Sequence, residues 1–134
     1  MSIKVNKYSY GKLAMAVSLG EHGFLSDVPA SSGGDDLGPD PHDLFDASLA
    51  SCTALTVMMY AQRKGWALTD IEVEIERDNR DEQEGVYRLQ RRIALFGTLS
   101  DEERGRLIEI ADKCPIHQLM HAKIEITTTS VAVI

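Results

Sequence analysis

Two thiols and one arginine in an apolar phase carry most of the chemistry open to this chain. Cys52 and Cys114 are its only cysteines. Cys52 lies in Leu49-Ala50-Ser51-Cys52-Thr53-Ala54, and Cys114 in Ile110-Ala111-Asp112-Lys113-Cys114-Pro115-Ile116-His117; both stretches form helices readily. If folding brings the two sulfurs together, they can cycle between dithiol and disulfide. Cys52 also has a plainer use as a small buried hydrophobe, and Cys114 as an incidental sulfur at a corner between helices. Cys52 sits about three turns into its helix, beyond reach of the helix dipole, and needs a nearby cation or donor to act as a thiolate. Cys114 precedes Pro115, so its sulfur faces the unpaired N–H groups of a new helical turn. By that argument Cys114 is the better thiolate.

Arg91 shares a strand face with Leu89, Ile93 and Leu95. A guanidinium there needs a partner, either one of the many carboxylates or an anion in a site. Arg92 takes that role if a bulge shifts the phase. His117 and His121 are four apart and share a helical face, but one such pair is too few donors for zinc, and neither metal nor cofactor is expected. His42 falls in the first turn of the long helix, where the plain expectation is a solvated side chain.

The elements that position these groups are legible from pattern. Val5 to Tyr10, Leu13 to Leu19 and His22 to Asp27 read as three strands, split by Gly11 and Gly20. Residues 29–40 form a loop rich in Gly, Pro and Asp. Asp40 caps a long helix that opens on Pro41 and ends at Gly65. That helix is apolar nearly all round, as befits the centre of a fold or a subunit interface. Residues 71–76 alternate strictly and pair with a strand over 86–96. Ser100 and Glu103 open a second helix with a capping box. A short helix follows Pro115, and Lys123 to Ile134 reads as a closing strand. The order gives an α+β fold with mainly antiparallel sheets and one long helix.

At 134 residues, a single domain over 1–134 is expected. A net charge of −7 repels phosphate backbones, so no nucleic-acid partner is expected. No uninterrupted apolar run spans a bilayer and the N-terminus lacks an apolar signal core, so a cytoplasmic protein without membrane attachment is expected. In that compartment two cysteines are core filler or chemically active, rather than a structural bridge.

The stretches Gly33-Gly34-Asp35-Asp36-Leu37-Gly38-Pro39-Asp40-Pro41, Leu49 to Ala54, Tyr60-Ala61-Gln62-Arg63-Lys64-Gly65-Trp66, Gly97 to Ser100 and Ile110 to His117 resemble the OsmC/Ohr family of peroxide-detoxifying proteins, in its general OsmC-like branch. The resemblance implies an intertwined homodimer with long helices packed centrally. It implies that Cys52 is the peroxidatic cysteine and Cys114 the resolving one, an order opposite to that of the capping argument. It implies a small hydroperoxide as substrate and a dithiol reductant, of the lipoyl type in the well-studied branch. Those members carry a catalytic Glu directly after the helix-opening Pro, where this chain has His42, and an Arg in the N-terminal strands, where it has none before Arg63. Arg91 or Arg92, or His42 and His22, then stand in for that pair. The expected pocket beside Cys52 is lined by Phe45, Leu49 and Met59. The alternative is a dimer without turnover that binds a small apolar molecule or a partner, or that oxidises once as a sensor.

Overall fold

The computed structural model describes residues 1–133, in two compact units. The first takes residues 1–48 and 75–90, and the second takes 49–74 and the chain from 91 onward.

In the first unit β1 (Ile3–Lys7), β2 (Met15–Leu19) and β3 (His22–Ser26) form an antiparallel sheet in that order. The register pairs Val5 with Val17 and Val17 with Phe24. β1 begins earlier and stops sooner than its alternation suggests. Lys7 closes the ladder against Met15, and its ammonium donates to the Gly11 carbonyl at 3.0 Å, which holds Tyr8 to Gly11 in the turn.

The loop after β3 is built around buried Asp27. Its carboxylate accepts the N–H groups of Val28, Leu37 and Asp35 at 2.8, 3.1 and 3.2 Å. Those bonds hold the carboxyl below its usual range. Gly38 passes so close to β3 that an added Cβ would sit 1.9 Å from the Leu25 carbonyl oxygen, so only glycine fits. The loop delivers the chain to α1 (Pro41–Lys64), which opens with a reciprocal cap: Asp43 N–H donates to the Asp40 side chain at 2.8 Å, and Asp40 N–H to that of Asp43 at 3.2 Å.

α1 runs on into the second unit and ends at Gly65, in the left-handed conformation, with Trp66 N–H returning to the Ala61 carbonyl at 3.0 Å. Leu49, Thr53, Val57 and Ala61 form its buried stripe at helical spacing, while Ser51, Leu55 and Met59 are exposed on another. By length and composition α1 is also apolar enough to cross a membrane. Ser48, Ser51, Thr53 and Thr56 interrupt its apolar residues, which is why no uninterrupted run marks it in the sequence.

β4 (Ala67–Asp78) pairs with β5 (Arg88–Thr98) as a two-stranded sheet. β4 extends beyond the strictly alternating 71–76, whereas β5 begins and ends two residues later than the expected 86–96. β5 alternates throughout, with Leu89, Arg91, Ile93 and Leu95 on the more covered face. α2 (Asp101–Ala111) opens on the Ser100–Glu103 capping box. α3 (Pro115–Met120) opens on Cys114. The core of the second unit is Val57, Ala61, Leu68, Leu107 and Ala111, flanked by Trp66, Ile71, Ile93 and Leu95.

The expected closing strand is absent from the described residues. Residues 123–133 carry no regular structure, and Ile124, Ile126, Val131 and Val133 are exposed. Alternation alone makes no strand, because its N–H and C=O groups need a neighbouring edge. Ile134 lies outside the described residues.

Candidate functional site

Both thiols belong to the second unit and both are free. Cys52 is part-exposed on α1, and its Sγ lies 3.9 Å from the Thr56 hydroxyl one turn on. Cys114 is fully buried at the start of α3. There its extended backbone turns the side chain over the helix end, and Sγ accepts the N–H of His117 at 3.2 Å. That is the cap donor expected from Pro115, and it is placed to hold negative charge developing on this sulfur.

Thr53 joins the two cysteine segments. It follows Cys52 directly on α1 but points into the core, where its hydroxyl lies 3.9 Å from Cys114 Sγ. The same oxygen accepts from Arg91 Nη1 at 3.0 Å. Arg91, whose side chain is 13% exposed, also donates to Asp112 Oδ1 at 2.6 Å and to the Ala111 carbonyl at 3.4 Å. Thus the arginine in the apolar phase has both kinds of partner: a carboxylate that balances its charge, and a hydroxyl that touches a thiol. Arg92 points the other way on β5 and pairs with Glu74 at 2.7 Å. His117 and His121 stack with ring centroids 5.0 Å apart, and His121 Nδ1 meets the His117 carbonyl at 2.8 Å.

His42 belongs to the first unit. Its Nε2 sits 2.9 Å from both carboxylate oxygens of Glu82, and that hydrogen bond raises the imidazole above its ordinary 6.5. Pro41, His42, Phe45, Glu82 and Tyr87 line a cavity of about 320 Å³. Tyr87 packs edge-on against both His42 and Phe45 and donates to Asp46 at 2.7 Å. Burial, then that bond to a carboxylate, pushes its phenol up to about 12. Arg77 bridges Asp43 and Asp46, and this pairing holds the Asp43 carboxyl low. Of the pocket residues expected from sequence, Phe45 lines this cavity, Leu49 is buried, and Met59 is 53% exposed. His22 lies on β3, exposed, opposite Leu19.

Sequence reasoning passed over Thr53, Tyr87 and Glu82. Thr53 carried a signal: it lies four and eight residues before Val57 and Ala61, in phase with the buried stripe. Glu82 and Tyr87 carried none, because their meeting with His42 depends on how the turn after β4 folds back.

A profile of the family described as OsmC-like protein matches residues 33–129. No functionally curated protein sequence matches the chain. Among solved structures, the chain is similar to a Psychrobacter arcticus protein assigned to osmotic stress and detoxification (21% identity, 90% of this chain and 88% of that one, TM-score 0.74). It is similar to an OsmC-like protein of Mycoplasma pneumoniae (16% identity, 89% and 85%, TM-score 0.71). It is also similar to an organic hydroperoxide resistance protein of Bacillus subtilis (21% identity, 90% and 91%, TM-score 0.59). At these identities the likeness establishes the fold, and with most of the chain inside the profile, this protein belongs to the OsmC-like family.

Proposed function

We propose that this protein is a thiol-dependent peroxidase for organic hydroperoxides, working through Cys52 and Cys114. The observation that carries the reading is a part-exposed thiol adjacent on α1 to a threonine whose hydroxyl reaches a second, buried thiol and an arginine. Access decides the order of reaction. A peroxide meets Cys52 first, because Cys114 has no exposed surface. The hydrogen bond from His117 then suits Cys114 to the second step, because it is placed to stabilise the thiolate that attacks.

The Cys52 thiolate attacks the terminal peroxide oxygen. The O–O bond breaks, the alkoxide takes a proton and leaves as alcohol, and Cys52 becomes a sulfenic acid. Cys114 attacks that sulfur, water departs, and a disulfide forms. A dithiol reductant, of the lipoyl type in this reading, restores both thiols by exchange. Arg91 stabilises the site through Thr53. The reading also assigns His42 as a proton donor, and Phe45, Leu49 and Met59 as residues that favour an organic substrate. The reading takes residues 1–134 as one cytoplasmic domain that acts as a homodimer. The Bacillus subtilis relative is named for organic hydroperoxide resistance, which supports the substrate class.

The cavity at Phe45 and Tyr87 favours one alternative, a dimer that binds a small apolar molecule without turnover. Steady-state consumption of cumene hydroperoxide with dihydrolipoamide as electron donor separates the two. The peroxidase reading expects catalytic loss of peroxide that Cys52→Ser abolishes. No turnover above the Cys52→Ser background overturns it.

A further inference from the structure

The hydrogen bonds around Thr53 leave little freedom in how its proton is placed. Its hydroxyl is fully buried and has three polar neighbours: the Leu49 carbonyl at 2.7 Å, Arg91 Nη1 at 3.0 Å and Cys114 Sγ at 3.9 Å. A hydroxyl has one proton and two lone pairs. A carbonyl can only accept, so the proton points to Leu49. A guanidinium can only donate, so Arg91 fills one lone pair. The other lone pair faces Cys114, so a protonated sulfur must be the donor of that contact.

When the sulfur loses its proton, two lone pairs face each other. The hydroxyl can relieve this by turning its proton from the Leu49 carbonyl, which keeps its helical N–H partner, towards the sulfur. Arg91 stays bonded to the oxygen in both arrangements and polarises the O–H. The thiolate then has two donors, Thr53 O–H and His117 N–H.

We infer that Thr53 is a positioning residue for Cys114: a rotatable hydroxyl, held by Arg91, that accepts from the thiol and donates to the thiolate. Its use in closing the disulfide rests on the peroxidase reading; the hydrogen bond itself does not.

The first test therefore needs no peroxide. In Cys52→Ser protein Cys114 is the only thiol, and its S–H stretch is read by infrared absorption. The inference expects a band lowered by hydrogen bonding, raised in wavenumber by Thr53→Val and returned by Thr53→Ser. Thr53→Ala takes the place of Thr53→Val should the valine variant fail to fold. A band that ignores loss of the hydroxyl overturns the inference, and so does a serine variant that behaves like valine. In protein with both cysteines, one equivalent of cumene hydroperoxide is followed by mass. Losing a hydrogen bond to the thiolate leaves less of Cys114 ionised while each thiolate attacks faster, so disulfide closure should slow about three- to tenfold. Sulfenic acid formation at Cys52, trapped with dimedone, should slow much less than closure, and Thr53→Ser should restore closure. Equal slowing of both steps contradicts a role specific to Cys114. A wild-type protein that shows the lowered band yet forms no disulfide refutes the peroxidase reading and supports the hydrogen bond.

Discussion

Cys52 and Cys114 differ in what surrounds them more than in where they stand along the chain. One is part-exposed beside a threonine hydroxyl, and the other is enclosed, with a backbone donor on its sulfur. The sequence showed the donor at Cys114, because a cysteine before proline at a helix start has few other geometries. It also showed that Arg91 needed partners, though not that one would be Thr53. It could not show His42 with Glu82, since that contact joins residues forty positions apart across a charged turn. This pair makes a prediction at the same scale. Glu82 raises the His42 pKa above 6.5, so the contact's contribution to stability is fully present below the unfolded value and is lost as pH rises through the folded one. Proton NMR of the His42 ring should give a midpoint above 6.5, and Glu82→Gln should bring it back towards 6.5. A midpoint unmoved by that substitution would remove Glu82 as the cause.

Helices and strands with local signals were legible at the element scale. The Asp40 and Ser100 caps, the Gly65 stop and the alternation of β5 are each fixed by a few neighbouring residues. Residues 29–40 were legible only as a loop. Its organiser is Asp27, read from sequence merely as the end of a strand. Three backbone donors hold this carboxyl below its ordinary 3.8. A depressed carboxylate stabilises the fold above its unfolded pKa, and that contribution fades as pH falls through the folded value. The urea midpoint of the wild type should therefore drop as pH is taken below about 3.8, and Asp27→Asn should lessen that acid-dependent loss while lowering stability at neutral pH. Identical acid limbs in the two proteins would mean that the loop does not depend on the charge. The closing strand was misread because periodicity reports which residues want a covered face, whereas a strand also needs an edge to join.

For the molecule as a whole, the exposed apolar groups point beyond one chain. Leu55 and Met59 lie on an exposed stripe of α1, β1 is exposed along its length, and Ile124, Ile126, Val131 and Val133 have no cover. Our proposed homodimer would bury such surface. Light scattering should give twice the chain mass, and Leu55→Glu should shift the population towards monomer. A wild-type protein that stays monomeric at high concentration would refute the dimer. The central claim, that Cys52 and Cys114 are one redox couple, has a more direct test. Intact mass is recorded after one equivalent of cumene hydroperoxide, for the wild type and for Cys52→Ser and Cys114→Ser. The account predicts loss of two hydrogens in the wild type, gain of one oxygen in Cys114→Ser, and no change in Cys52→Ser. A wild-type mass left unaltered, or raised by oxygen without loss of the two hydrogens, would contradict it.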